Sequence, residues 1–243
     1  MRPLVWLALA LALLTPSLAA AQDVTLSLGE GGSISARTVQ LILLITVLSL
    51  APGLAIMITC FPFLVTVLAI LRQGIGLQQS PPNMLIVSLA LFLTYFIMEP
   101  VFTEAWETGI RPMVEETMEV EPALERALAP FRAFMAARLD PDTFHAMAAL
   151  RPGGDTIALS PDAPASVLMP SFMLSEIARA FQIGFLIFLP FLIIDLVVAA
   201  VLMSMGMMMV PPATVSLPFK LAFFVIADGW SLIASALVRS YTI

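Results

Sequence analysis

Charge is scarce in this sequence. Asp, Glu, Lys and Arg together make up 12% of its 243 residues, about half of the roughly 25% usual in soluble domains. Acids outnumber bases, with 17 Asp and Glu against 11 Lys and Arg and a formal net charge of −6. That balance gives no basic footprint and excludes nucleic acid as a partner. Cysteine occurs once, at Cys60 inside an apolar run, so no intrachain disulfide can form, and the thiol reads as a small buried hydrophobe. Histidine also occurs once, at His145 in the polar middle of the chain, where it reads as a surface or packing residue. Walker A, H-E-x-x-H, G-x-S-x-G and C-x-x-C patterns are all missing, and Gly74 and Gly76 make a bare G-x-G with no strand before it. No catalytic residue, metal ligand or cofactor site is assigned, and the chain reads as a non-enzyme.

Apolar residues fill the space that charge leaves: 60% of the chain is hydrophobic and the mean hydropathy is +1.01. The fold class expected is all-α, an integral membrane or membrane-assembled helical protein with broken helical hairpins and a small soluble helical domain. Residues 1–21 read as a secretory signal peptide, with Arg2 at the positive end, an apolar stretch over 4–14 and an alanine triplet at 19–21. That stretch is shorter than the roughly 20 residues a span needs. A polar, glycine-rich leader follows at 22–37.

Residues 38–98 form the first hydrophobic hairpin region. No charge occurs from 38 to 71, but Pro52-Gly53 and Pro62 interrupt the run, and proline removes a helix hydrogen bond and crowds the preceding turn. Broken helices are therefore expected, packed inside an assembly, because freed backbone groups cannot face lipid. After a connector at 72–83 comes a second apolar stretch, 84–98, ended by Glu99-Pro100. Residues 99–169 carry most of the acids and five arginines between Arg111 and Arg151. They read as an acidic helical domain outside the cytoplasm. One helix is expected over 122–139, with Leu124, Leu128, Phe131 and Met135 on one face and a kink at Pro130. A second should start at Asp140-Pro141, a cap followed by proline at the first helical position.

Residues 170–243 make the second hydrophobic hairpin region, with apolar stretches at 171–210 and 217–238. A methionine cluster joins them, Met203, Met205, Met207, Met208 and Met209, ending at Pro211-Pro212. Wound as a helix at about 100° per residue, these side chains would point all round the axis, so they do not form a core stripe. Gly206 and the two prolines predict a turn. Methionine is flexible and polarizable, which suits a surface that closes around changing shapes. Three charges lie in apolar surroundings, Asp195, Lys220 and Asp228, and at that depth a charge faces a partner, a cavity or a pathway. Lys220 and Asp228 are about 12 Å apart along one helix, too far to pair, so Asp195–Lys220 is the expected ion pair, within or between subunits. Glu176 and Arg179 share one helix face and suit an inter-subunit contact. An ion-coupled transporter with Asp195 and Asp228 as proton sites is the alternative from another class, and a scaffold without a channel is a third.

Three blocks resemble the FliP family, membrane proteins of the flagellar type III export gate: PPNMLIVSLALFLTYFIMEPV at 81–101, PSFMLSEIARAFQIG at 170–184, and FLIFLPFLIIDLVVAAVLMSMGMMMVPPATVSLPFKLAFFVIADGW at 185–230. The resemblance implies a pore-forming subunit of the bacterial inner membrane and flagellar basal body, with its soluble domain periplasmic. It implies a homo-oligomeric ring assembled with FliQ and FliR, and with FlhB as a further partner, passing unfolded export substrates. Met205, Met207, Met208 and Met209 would then be the gasket that closes the channel. Glu176 would match an acid associated with subunit contacts, and Asp195 and Lys220 recurrent polar positions. The sequence departs from the family at Phe61-Pro62-Phe63, where a Thr-Arg pair usually follows the phenylalanine, and at Ser171, where alanine is usual.

Overall fold

A computed structural model describes residues 34–77, 80–207 and 209–241. The signal peptide, most of the leader and Met208 lie outside the described residues. The described chain is all-α, with no strand. It divides into two units, one ending at Ser49 and the other running from Leu50 onward.

The described part of the first unit is the opening of α1 (Ile34–Met57), which starts inside the stretch expected to be leader. Its large side chains, Ile42, Leu43 and Ile45 among them, are exposed, and 38–57 is long and apolar enough to cross a membrane. Pro52-Gly53 does not break it. The break falls at 58–60, and Pro62 sits in the first turn of α2 (Phe61–Ile75), where the missing N–H would have had no partner anyway. Proline likewise opens the helices that begin at Arg111, Pro141 and Pro212.

In the second unit α2 is the centre. Phe63, Leu64, Val67, Leu68 and Leu71 are wholly buried, following the i, i+4 spacing of a core face. At 15 residues α2 measures about 22 Å, less than the roughly 30 Å of a hydrocarbon core, so length and burial both make it an inner helix. Around it pack α3 (Asn83–Ala105) and α7 (Ala165–Ser204). The second apolar stretch does not end at Glu99-Pro100: α3 runs through Pro100 into a π-helical turn, Trp106–Ile110, and α4 (Arg111–Val114). Together they give an apolar length of 32 residues. α7 is a single helix of 40 residues despite Pro170 and Pro190. Three described helices are long and apolar enough to span, or four if α8 (Pro212–Ile226) and α9 (Gly229–Arg239), bent by 61°, count as one. Hydroxyls along these helices bond back to the preceding turn, as Thr94 Oγ1 does to the Ala90 carbonyl at 2.7 Å and Ser175 Oγ to the Ser171 carbonyl at 2.8 Å. These two buried hydroxyls therefore carry no unmet bond into apolar surroundings, whereas the buried Ser171 hydroxyl has no hydrogen-bond partner.

The acidic segment folds into α5 (Val120–Arg138) and α6 (Pro141–Ala149). Pro130 lies within a continuous α5. Of the expected face of α5, Met135 is buried and Phe131 packs against the core, but the two leucines do not. Ala123, Ala127 and Pro130 face inward, while Leu124 and Leu128 are exposed. The cause is backbone proximity: a Cβ on Gly109 of the π-turn would lie 2.5 Å from the Ala123 carbonyl oxygen and from the Ala127 nitrogen. Only glycine against alanine fits there. A second core, with Met135, Phe144, Leu168 and Phe172, joins α5 and α6 to the start of α7.

Asp140 caps α6, accepting from the Thr143 hydroxyl at 2.7 Å and its backbone N–H at 2.9 Å, and these bonds hold its carboxyl below the ordinary value. A depressed pKa stabilises the fold fully above the ordinary Asp value of about 3.9, and that contribution disappears as pH falls through the lowered folded value. In thermal unfolding of the detergent-solubilised chain, the wild type should therefore lose its advantage over Asp140→Ala as the pH drops below about 4. In the same assay at neutral pH, Gly109→Ala should cost about 1–3 kcal/mol, whereas Leu124→Ala, on the exposed face, should stay within about 0.5 kcal/mol.

Candidate functional site

The methionine segment is a loop on a well-defined base. α7 stops at Ser204, and Gly206 takes the left-handed conformation with φ 75°. The Gly206 N–H donates to the Met203 carbonyl at 3.0 Å and the Met207 N–H to the Leu202 carbonyl at 3.0 Å. These two bonds form the Schellman closure of a helix, which favours glycine at the left-handed position. Pro211 and Pro212 then start α8. Between these fixed ends Met203, Met205, Met207 and Met209 are exposed, Met209 at 98%. Below them an apolar groove of about 570 Å³ runs between α7 and α8, lined by Val197, Val201, Leu202, Met205, Met207 and Phe219 among others.

Asp195 and Lys220 meet across the same pair of helices. The Lys220 ammonium lies 2.5 Å from Asp195 Oδ2, and the Ser216 hydroxyl donates to Asp195 Oδ1 at 2.5 Å. Lys220 Nζ also donates to the Gly74 carbonyl at 3.1 Å. That carbonyl belongs to the last turn of α2, which ends at left-handed Gly76. A helix C-terminus offers unpaired carbonyls and the negative end of its dipole, so Lys220 neutralises a carboxylate and caps a helix at once. Asp195 lies about 15 Å along α7 from the methionine turn. The pair and the Schellman turn thus hold the hairpin at two levels.

Asp228 takes no part in this. It was expected at depth in one continuous apolar helix, but the helix breaks at 227–228. Asp228 occupies the corner between α8 and α9, exposed, with φ 46°. Gly229 follows because a side chain there would collide with the Phe224 ring.

Glu176 is completely enclosed within its own chain. Arg138 and Arg179 approach its Oε1 at 3.3 and 3.6 Å, and the Tyr241 hydroxyl donates to Oε2. Arg138 and Tyr241 are the partners of Glu176 that sequence reasoning missed. The signal for Arg138 was present, because it continues the stripe Phe131, Met135 at the i, i+4, i+7 spacing of one helix face. Tyr241 gave no comparable signal. No group of three or more His, Cys, Asp or Glu among the described residues is placed to hold a metal.

The two members of the Asp195–Lys220 pair are unequally buried, with side chains 32% and 7% exposed within this chain. Removing Asp195 strands an enclosed ammonium, whereas removing Lys220 leaves a carboxylate that keeps Ser216. Asp195→Ala should therefore destabilise more than Lys220→Met, by about 2–4 kcal/mol against about 1–2. The double variant should cost less than the sum, as read by thermal unfolding in detergent.

The sequence profile of the FliP family matches residues 44–237. The flagellar biosynthetic protein FliP of Caulobacter vibrioides is 50% identical over 236 residues, covering 96% of this chain and 88% of the relative. The proteins of the same name from Agrobacterium fabrum and Bacillus subtilis are 46% and 45% identical, over 99% and 84% of this chain and 99% and 92% of their own lengths. Since the profile covers most of the chain and these relatives are 45–50% identical to it over most of its length, the chain belongs to the FliP family.

Proposed function

We propose that this chain is a pore-forming, non-enzymatic subunit of the flagellar protein export gate in the bacterial inner membrane. Unfolded export substrates pass through a channel it partly lines, and Met205, Met207, Met208 and Met209 close that channel at rest. The observation that carries this reading is the contrast within the second hairpin: exposed methionines on a loop whose base is fixed by the Schellman turn and the Asp195–Lys220–Gly74 contact. A seal needs compliant side chains, which methionine supplies, on a support that does not drift.

Assembly into a homo-oligomeric ring with FliQ and FliR, and with FlhB as a further partner, accounts for the apolar surface. Phe92 and Phe96 on α3 and Phe181, Phe185 and Leu196 on α7 are exposed in the single chain, and a surface that apolar requires lipid or protein cover. In this arrangement Glu176 and Arg179 support the fold beneath the contacts, because the Glu176 carboxylate is already enclosed. The acidic domain, 99–169, is assigned to the periplasm. The connector at 72–83 and the methionine loop are assigned to the opposite side, in keeping with the approach of Gly76 to Leu217 and Lys220. The transporter reading loses ground, since Asp195 is ion-paired and Asp228 stands apart at an exposed corner.

The test replaces Met205, Met207, Met208 and Met209 by alanine in the assembled complex. Native mass should be unchanged on co-expression with FliQ and FliR, while small-ion leakage rises several-fold. An assembled variant complex that leaks no more than the wild type would sink the gasket assignment.

A further inference from the structure

Two residues past the end of α9, the chain turns back into the middle of its own fold. The Ser240 N–H donates to the Ala236 carbonyl and the Tyr241 N–H to the Val238 carbonyl, both at 3.0 Å, so the tail leaves α9 in a tight turn. Tyr241 then touches three other elements. Its ring meets Phe63 of α2 edge-on at 5.4 Å. It stacks on Phe134 of α5 at 6.1 Å with 15° between the planes. The Arg138 guanidinium lies over it, 4.0 Å from the ring centre, and its hydroxyl donates to Glu176 of α7. Arg138 Nη1 also donates to the Ser240 carbonyl at 2.8 Å, so one guanidinium holds both tail residues. Burial and the neighbouring Glu176 carboxylate push the Tyr241 pKa upward, which keeps the hydroxyl protonated as a donor.

Of the eleven residues of α9 only Gly229 and Leu237 are fully buried, with Ile233, Ala234 and Val238 half-buried against the core. At its start it is fixed by the Phe224–Trp230 ring contact at 5.4 Å and by the absence of a side chain at Gly229. At its end it has the tail. Segments with few buried contacts open locally at free energies well below global unfolding, so the tail decides whether α9 moves with the fold or separately from it.

We propose that Ser240 and Tyr241 are a C-terminal latch that docks α9, and with it the far end of the methionine hairpin, onto the Arg138–Glu176 pair at the junction of the acidic domain and α7. The family profile ends at residue 237, just before the latch, while the Agrobacterium fabrum relative aligns over 99% of this chain. It stands independently of the export-gate reading.

Hydrogen exchange on the detergent-solubilised full chain tests it. In Tyr241→Ala, amides of α9 (Gly229–Arg239) should exchange about ten-fold faster, the size expected for losing an aromatic pair and a cation–π contact. Amides of α3 (Asn83–Ala105) should keep their wild-type rates. Unchanged exchange in α9, or an equal rise in every helix, overturns the latch. If Tyr241→Ala does not fold, Tyr241→Phe decides, because it keeps the ring and loses the bond to Glu176. A faster α9 with α3 unaltered supports the latch, and an unaltered α9 or a uniform rise refutes it.

Discussion

An ammonium taken out of water must be met by anions or carbonyls, because its desolvation otherwise costs several kcal/mol. Lys220 is met by both, the carboxylate of Asp195 and the backbone carbonyl of Gly74. This requirement orders much of the second unit. It brings the last turn of α2 against α8, and it aligns α7 with α8, since Ser216 and Lys220 on successive turns of α8 both reach Asp195. The apolar groove between α7 and α8 runs alongside this contact toward the methionine turn. Apolar packing in a membrane is weakly directional, because lipid tails are as apolar as leucine. A paired charge is directional, and it selects one arrangement among many that hydrocarbon contacts alone would allow.

Proline has two roles here, and position separates them. In the first turn of a helix it starts the element, as Pro62, Pro112, Pro141 and Pro212 do. Inside α3, α5, α7 and α8 it is carried without ending the helix. Neighbouring helices can re-satisfy the carbonyls that such prolines release, which is why membrane helices tolerate them. The apolar helices break at 58–60, after Ile75, at the methionine turn and at 227–228. Three of these four breaks hold a left-handed residue, Gly76, Gly206 and Asp228. Backbone handedness therefore marks these three corners better than proline content does.

That distinction also explains which features could be read from the sequence. The cap at Asp140-Pro141, the turn at Gly206 before Pro211-Pro212, and the pairing of Asp195 with Lys220 were legible because each follows from a local rule or from the need to neutralise a charge in an apolar segment. The lengths of α3 and α7 were not, because whether an internal proline breaks a helix depends on what packs beside it. The buried face of α5 was misjudged for a similar reason. Leucine periodicity points to Leu124 and Leu128, but the π-turn comes so close that Gly109, Ala123 and Ala127 had to occupy the contact. Asp228 looked buried only as long as α8 and α9 were taken for one helix. Tyr241 lay outside every periodic pattern, and its role comes entirely from residues brought together across more than a hundred positions.

A soft element does useful work only on a stiff support. Exposed methionines on a drifting loop would sample positions at random and close nothing, however well they repack. Here the exposed Met205, Met207 and Met209 all lie between Ser204 and Pro212. On the α7 side a six-to-one and a five-to-two hydrogen bond terminate the helix. On the α8 side proline fixes the backbone, and about one and two turns further on Ser216 and Lys220 reach back to Asp195. The chain thus places its most adaptable side chains between its least adaptable contacts. That arrangement is what the proposed gasket requires, a loop of yielding side chains on a support that keeps its place.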